Sequence, residues 1–84
     1  MAIAENRVAL FPNPAKDVVY VDLQNIGSQA HATISDISGR IIDTFTIGGD
    51  ARLTINVSTY PAGTYILRIL SDEINFVEMF VIKR

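Results

Sequence analysis

The chain is redirected early by the stretch Leu10-Phe11-Pro12-Asn13-Pro14-Ala15-Lys16-Asp17, which runs directly into an alternating segment at residues 18–23. Each proline fixes its own φ at about −65° and has no N–H to donate. Each also biases the preceding residue toward extended geometry. Asn13 stands between them, with a side chain that readily hydrogen-bonds nearby backbone groups. The stretch is therefore a stiff connector that turns the chain before a strand.

The composition indicates one domain that is held together by packing. The chain has 84 residues, of which 49% are hydrophobic and 19% charged, and it has no cysteine. This length allows a single domain, and neither a disulfide nor a thiolate metal site can support it. The net charge is -2, with no basic stripe, which argues against a nucleic-acid partner. No apolar run approaches the roughly 20 residues of a membrane-spanning helix.

Hydrophobic and polar residues alternate along most of the chain, which indicates half-buried strands. No window shows the apolar stripe of a helix. Turn residues divide the chain into about seven strands, which predicts an all-β fold: a small antiparallel Ig-like or Greek-key β-sandwich. The predicted strands span residues 7–11, 18–23, 30–36, 40–47, 52–57, 64–70 and 75–82. The predicted core consists of Val19, Val21, Ile34, Leu53, Ile55, Val57, Tyr65, Leu67 and Ile69.

The last predicted strand is apolar on both faces apart from Glu78. It is either extra core with a hydrophobic rim, or a docking edge for another protein or a second copy. Because Glu78 is charged, we predict that its side of the strand faces outward. We therefore expect Phe80→Lys to leave folding intact and to impair docking. The candidate docking strand is formed by Phe76, Glu78, Phe80 and Ile82.

Residue types that carry out catalysis or bind metals are few and dispersed. His31 is the only histidine, and no nucleophile motif accompanies it, so an exposed strand residue is the favoured interpretation. Asp36-Ile37-Ser38-Gly39 is explained as an Asx-turn closed by Gly39. Gly63 follows a proline turn and begins a strand, so we predict a positive φ there. The sequence predicts no catalytic, cofactor-binding or metal-binding residue, and no cofactor.

Three turn signals follow one another in a fixed order: Pro-Asn-Pro, then Asp-x-x-Gly-Arg, then Ser-x-x-Pro-x-Gly-x-Tyr. A short apolar strand with a basic end, Val81-Ile82-Lys83, comes last. Over residues 8–84 this ordered set resembles the C-terminal sorting domain of type IX secretion, also called the Por secretion tail. We call the residues that carry the resemblance the sorting motif: Pro12, Asn13, Pro14, Asp36, Gly39, Arg40, Pro61, Gly63, Tyr65, Lys83 and Arg84.

The resemblance implies a non-catalytic secretion signal that directs a large cargo protein across the outer membrane. Its implied partners are the type IX translocon, a sortase-like peptidase that removes the domain, and a cargo domain on the amino-terminal side. It implies transit through the periplasm and then a place at the cell surface or release. Residues 1–7 would be a linker or expression remnant that adjoins the cargo and the cut, and residues 8–84 the sorting domain.

Three further expectations concern the crossing between the sheets, the end of the chain and self-association. Tyr65 is expected to anchor a crossing between the sheets. Deletion of Lys83 and Arg84 is expected to impair export more than folding. A homodimer through an edge strand is a further predicted interaction.

An accessory β-sandwich that binds glycan or protein beside a catalytic domain is the alternative function. Carbohydrate-binding sandwiches present an aromatic platform, and Tyr20 is the one candidate here, standing by itself. The parent gene separates the two functions, because a sorting tail is followed by a stop codon, whereas an accessory module can stand anywhere. An enzyme is the third and least supported function.

Overall fold

The computed structural model describes residues 7–24, 29–48, 51–72 and 74–84. It contains seven strands, and each lies within one residue of its predicted bounds. The all-β prediction is therefore confirmed. The strands are β1 (Arg7–Phe11), β2 (Val18–Gln24), β3 (Gln29–Asp36), β4 (Ile41–Gly48), β5 (Ala51–Asn56), β6 (Gly63–Leu70) and β7 (Asn75–Ile82).

The strands form two antiparallel sheets that enclose one core, which confirms the predicted sandwich. One sheet has three strands in the order β1-β2-β5, and the other has four in the order β4-β3-β6-β7. The pairs β2–β5 and β3–β6 are not consecutive in sequence, so the chain crosses between the sheets. β1 and β7 are edge strands of different sheets.

Alternate residues of the strands fill the space between the sheets, as the pleat requires. Val19 and Val21 of β2 and Leu67 and Ile69 of β6 are fully buried. Eight of the nine predicted core residues are buried, and Leu53 is half-buried against them. Leu53 belongs to the edge strand β5, and a residue on an edge strand has a neighbouring strand on one side only.

The facing predicted for the last strand is wrong. Phe80 and Ile82 are each 1% exposed and lie in the core. Val77, Met79 and Val81 are 51%, 56% and 37% exposed, so they point to solvent. Phe80→Lys would place a charge between the sheets and is now expected to unfold the domain, because a buried unpaired charge is strongly unfavourable.

The prediction was wrong because it took the charge of Glu78 to mark the outward side of the strand. Glu78 instead lies on the inner side of an edge strand. It is half-buried, as is Phe76 on the same side. The three-stranded sheet is narrower than its partner, and Phe76 lines a groove of about 570 Å³ between β1 and the start of β7. The three-stranded sheet therefore covers this part of β7 incompletely, and the carboxylate of Glu78 reaches water. An inward-pointing charge on an edge strand also discourages pairing with another chain.

We expect Leu67→Ala to lower the free energy of unfolding by about 2–5 kcal/mol, because it opens a cavity between the sheets. Leu67 is completely buried. Urea denaturation measures the change. Leu70→Ala is the matched control, since Leu70 lies on the same strand but is 49% exposed, and its effect should stay within about 0.5 kcal/mol. Equal losses of unfolding free energy in the two variants would contradict the assignment of Leu67 to the inner side of β6 and Leu70 to the outer side.

Candidate functional site

All parts of the sorting motif lie at one end of the sandwich, which we call the motif end. Residues 12–14 follow β1, residues 36–40 join β3 to β4, residue 61 precedes β6, and residues 83–84 follow β7. Because neighbouring strands are antiparallel, the end of β3, the start of β6 and the end of β7 meet there. Asp36 is paired with Tyr65, and Tyr65 with Phe80.

Residues 12–16, which we call the strap, run along the outer edge of β7. The Phe11–Pro12 and Asn13–Pro14 peptide bonds are cis. Ala15 forms a parallel bridge with Ile82: its N–H donates to the Val81 carbonyl at 2.8 Å, and its carbonyl accepts from the Lys83 N–H at 2.9 Å. Since β1 belongs to the other sheet, the strap connects the two sheets along their shared side.

Asn13 adds its side-chain amide to this pairing. Its Nδ2 donates to the Met79 carbonyl at 3.3 Å, and its Oδ1 accepts from the Val81 N–H at 2.9 Å. The amide therefore takes the place of a peptide group beside β7. The turn pattern predicts bonds to nearby backbone, whereas the actual partners are 66 and 68 residues away. The expectation for Asn13 is right about the kind of partner and wrong about its distance along the chain.

The strap changes the interpretation of β7 as an open docking edge. Between Met79 and Lys83 the outer edge is already bonded to Asn13 and Ala15. Within the described residues, only residues 75–78 have no strand or strap beside them on that side. A second copy pairing along the whole of β7 would have to displace the strap.

Asp36 organises the turn between β3 and β4. Its Oδ1 accepts from the Ser38 hydroxyl at 2.6 Å and from the N–H groups of Ser38 and Arg40, both at 3.0 Å. The Arg40 Nε lies 3.2 Å from Oδ2. The Ser38 hydroxyl, more than any other partner, lowers the pKa of Asp36. Gly39 has a φ of +95° and donates its N–H to the Asp36 carbonyl at 3.0 Å, which closes a backbone turn. The bond from the Ser38 N–H to Asp36 Oδ1 confirms the predicted Asx-turn.

Tyr65 holds the start of β6 against the connector before it. Its hydroxyl donates to the Pro61 carbonyl, four residues upstream, at 2.5 Å, as in the tyrosine corner of other β-sandwiches. Its ring stacks on Phe80 at 5.7 Å and lies 5.5 Å from Tyr60. Gly63 has a φ of +154°, as predicted. The predicted anchoring role of Tyr65 is confirmed.

Tyr60 is a core residue that the sequence pattern does not reveal. It is 6% exposed, and its hydroxyl donates to the Asp43 carboxylate at 2.6 Å. Burial, followed by this hydrogen bond, raises the pKa of Tyr60 above the ordinary range of a phenol. The bond ties the connector between β5 and β6 to β4. A tyrosine in a proline turn has no local signal that distinguishes it from a surface residue.

Arg84, which follows β7, binds the same connector. Its guanidinium donates through Nη2 to the Val57 carbonyl at 2.6 Å and through Nη1 to the Tyr60 carbonyl. Its Nε lies 4.0 Å from Asp17 Oδ1. These contacts give Arg84 a structural role, so its deletion is now expected to affect folding as well as export. Lys83 is exposed.

Tyr20 does not stand by itself on the outer face of the three-stranded sheet. Its ring centroid lies 5.6 Å from that of Phe11, and the Arg52 guanidinium lies over both rings at 5.7 and 5.2 Å. Arg52 also donates to both carboxylate oxygens of Asp22, at 2.6 and 3.0 Å, which lowers the pKa of Asp22. The guanidinium therefore already packs against both rings of this aromatic platform.

Metal-binding side chains do not cluster in the part of the chain that is described. There, no three His, Cys, Asp or Glu side chains lie close enough together to hold a metal ion. His31 is exposed on β3. Among the same residues, no helix has the length and apolarity needed to span a membrane.

A comparison with models of protein families matches residues 9–83 to the secretion system C-terminal sorting domain. The chain belongs to this family. The sorting domain is thus a type IX export signal, and its family is not a catalytic one. It acts with the type IX machinery and with a cargo on its amino-terminal side, for export to the cell surface or the medium. A comparison with curated proteins finds no match.

We expect Gly63→Val to lower the free energy of unfolding by about 1–3 kcal/mol, the scale of a strained backbone position. A Cβ at Gly63 meets no atom within 4 Å, so the cost comes from the φ of +154° alone. Gly48→Val is the matched control, because its Cβ is equally free and its φ is ordinary. Thermal or urea unfolding of both variants tests this. A control as unstable as Gly63→Val would remove backbone strain as the cause.

We expect Arg84→Ala to lower the free energy of unfolding by about 1–3 kcal/mol, because two connector carbonyls lose a charged donor. Lys83→Ala, at an exposed neighbouring position, should change it by less than about 0.5 kcal/mol. Arg84→Lys should recover only part of the loss, since an ammonium lacks the guanidinium fork. The urea midpoints of the three variants, compared with that of the wild type, measure these changes. If Arg84→Ala unfolds at the wild-type midpoint, the contacts to Val57 and Tyr60 add nothing to stability.

Proposed function

We propose that the sorting domain is a rigid folded tag that carries its cargo from the periplasm through the outer-membrane translocon and is then removed by a sortase-like peptidase. The observation that supports this proposal is that side chains of the sorting motif bind backbone groups of other segments. Asn13, Tyr65 and Arg84 all bind backbone groups of distant or crossing segments. Such residues build a fixed shape, and a signal that is recognised by its surface needs a fixed shape.

We place the cut before β1, in or beside residues 1–7. β1 is paired with β2 over its full length, from Arg7 to Phe11. A peptidase takes its substrate as an extended segment whose backbone groups are free to bind the active site. Residues already held in a sheet do not meet this requirement, so cleavage within β1 would need the sheet to open first.

The test is a fusion of residues 5–84 behind a reporter that carries its own export signal to the periplasm, expressed in a bacterium with type IX machinery. We expect the fused reporter at the cell surface or in the medium, and the unfused reporter in the periplasm. The same fusion in a strain without the translocon is the second control. A fused reporter that stays in the periplasm of the intact strain would overturn the proposal.

The same cells, given a second fusion that carries residues 1–84 and so the whole of residues 1–7, test the position of the cut. Mass spectrometry of the exported reporter should find its carboxyl end in or beside residues 1–7 of the domain. A carboxyl end beyond Arg7, within β1 or after it, would show that the peptidase acts on an opened sheet, and an intact fusion would show that export proceeds without removal.

A further inference from the structure

The outer face of the four-stranded sheet carries a group of apolar side chains on β6 and β7, and Ile41 of β4 lies across Ser35 from this group. On β7 and β6, Met79 stands opposite Ile66, and on β6 and β3, Ile66 stands opposite Ser35. Ser35 is in turn opposite Ile41 of β4. Ile41 and Ile66 line one shallow groove of about 490 Å³ together with Arg68 and Leu70. We call this surface the outer face; its large apolar residues are Ile41, Ile66, Leu70, Val77, Met79 and Val81.

The outer face also carries a positive charge that no carboxylate of the same face balances in the described residues. Arg68 lies within it, exposed, with Val77 beside it on β7 and Thr33 beside it on β3. The ion pairs among the described residues involve Arg40, Arg52 and Arg84, and none involves Arg68.

The acids of the same four strands point elsewhere. Asp43 binds Tyr60, Asp36 binds its own turn, and Glu78 lies on the inner side of β7. The chain has nine acidic residues against seven basic ones. In the described residues, this sheet nevertheless presents a cation and no carboxylate to solvent on its outer face.

We propose that the outer face docks on a protein of the type IX machinery whose contact surface is apolar and places a carboxylate against Arg68. This rests on the proposed function. A contiguous apolar patch on a small domain marks an interaction site. Arginine surrounded by apolar side chains is typical of interface cores, where a desolvated charge pair supplies specificity. The partner's carboxylate supplies the charge that the sorting domain leaves unmatched.

A second copy and a membrane fit the outer face less well. Two outer faces brought together would set arginines near each other without a carboxylate, and like charges disfavour an interface. Each arginine near an anionic lipid surface contributes only about 1 kcal/mol to the binding free energy. Arg68 is the one unpaired arginine of the described face. Membrane-surface binding is characteristic of amphipathic helices with several basic residues, whereas this surface is the face of a β-sheet.

The test uses the reporter fusion with single substitutions on the two outer sheet faces. We expect Met79→Lys and Arg68→Glu to lower the exported fraction about tenfold, the loss of one central contact. Arg68→Lys keeps the charge and should retain most of the export. Thr54→Lys, at an exposed position of the opposite sheet, should be exported like the wild type. The purified domains should unfold at wild-type temperatures; if Met79→Lys does not, the comparison of Arg68→Glu with Arg68→Lys decides.

The outcomes separate this inference from the proposed function. If the wild-type fusion is not exported, the proposed function fails. If it is exported and both Met79→Lys and Arg68→Glu are exported equally well, the outer face is not the docking surface.

Two measurements on the purified domain test the other occupants. Sedimentation should show a monomer, and a dimer abolished by Met79→Lys would assign the face to a second copy. Flotation with phosphatidylglycerol vesicles should leave the domain unbound. Binding to those vesicles that is abolished by Met79→Lys would assign the face to the membrane.

Discussion

The backbone pairing of the strap with β7 links the two sheets along a side where they would otherwise meet only through side chains. The strap is continuous with β1 of the three-stranded sheet, and Ala15 bonds to the last strand of the four-stranded sheet on both of its backbone groups. A chain of 84 residues without cysteine has a small core and no disulfide. Directional bonds between its two layers therefore have a large share in fixing their relative position.

Three residues of the sorting motif, Asn13, Tyr65 and Arg84, provide hydrogen bonds for backbone groups at the outer edge of β7 and in the crossing from β5 to β6. In such crossings the peptide groups have no ladder partner, and a buried group without a partner is costly. The residue types follow from this need. The Asn13 amide both donates and accepts, so it can replace a peptide group, and the Arg84 guanidinium can donate to two carbonyls at once. The Tyr65 hydroxyl reaches back to the Pro61 carbonyl.

Alternation was sufficient to predict the strands and most of the core, because in a two-layer sandwich alternate residues of each strand face the core and the solvent. It failed on β7, where both sets are mostly apolar and the one charge, Glu78, lies on the inner side of an edge strand. The partners of Asn13, Tyr60 and Arg84 were beyond prediction for another reason. Each joins residues 17 or more positions apart, and no local pattern records which distant group a polar side chain will meet.

The protective features of β7 act on its edge and leave its outer face open. The strap occupies half of the backbone edge, and an inward-pointing charge such as Glu78 disfavours strand pairing along the rest. Val77 and Met79 nevertheless remain more than half exposed on the same strand. A chain that only had to avoid association would carry polar residues there, since those side chains do not contribute to the core. Recognition of the sorting domain is therefore better served by side-chain contacts on the sheet face than by the addition of a strand to β7.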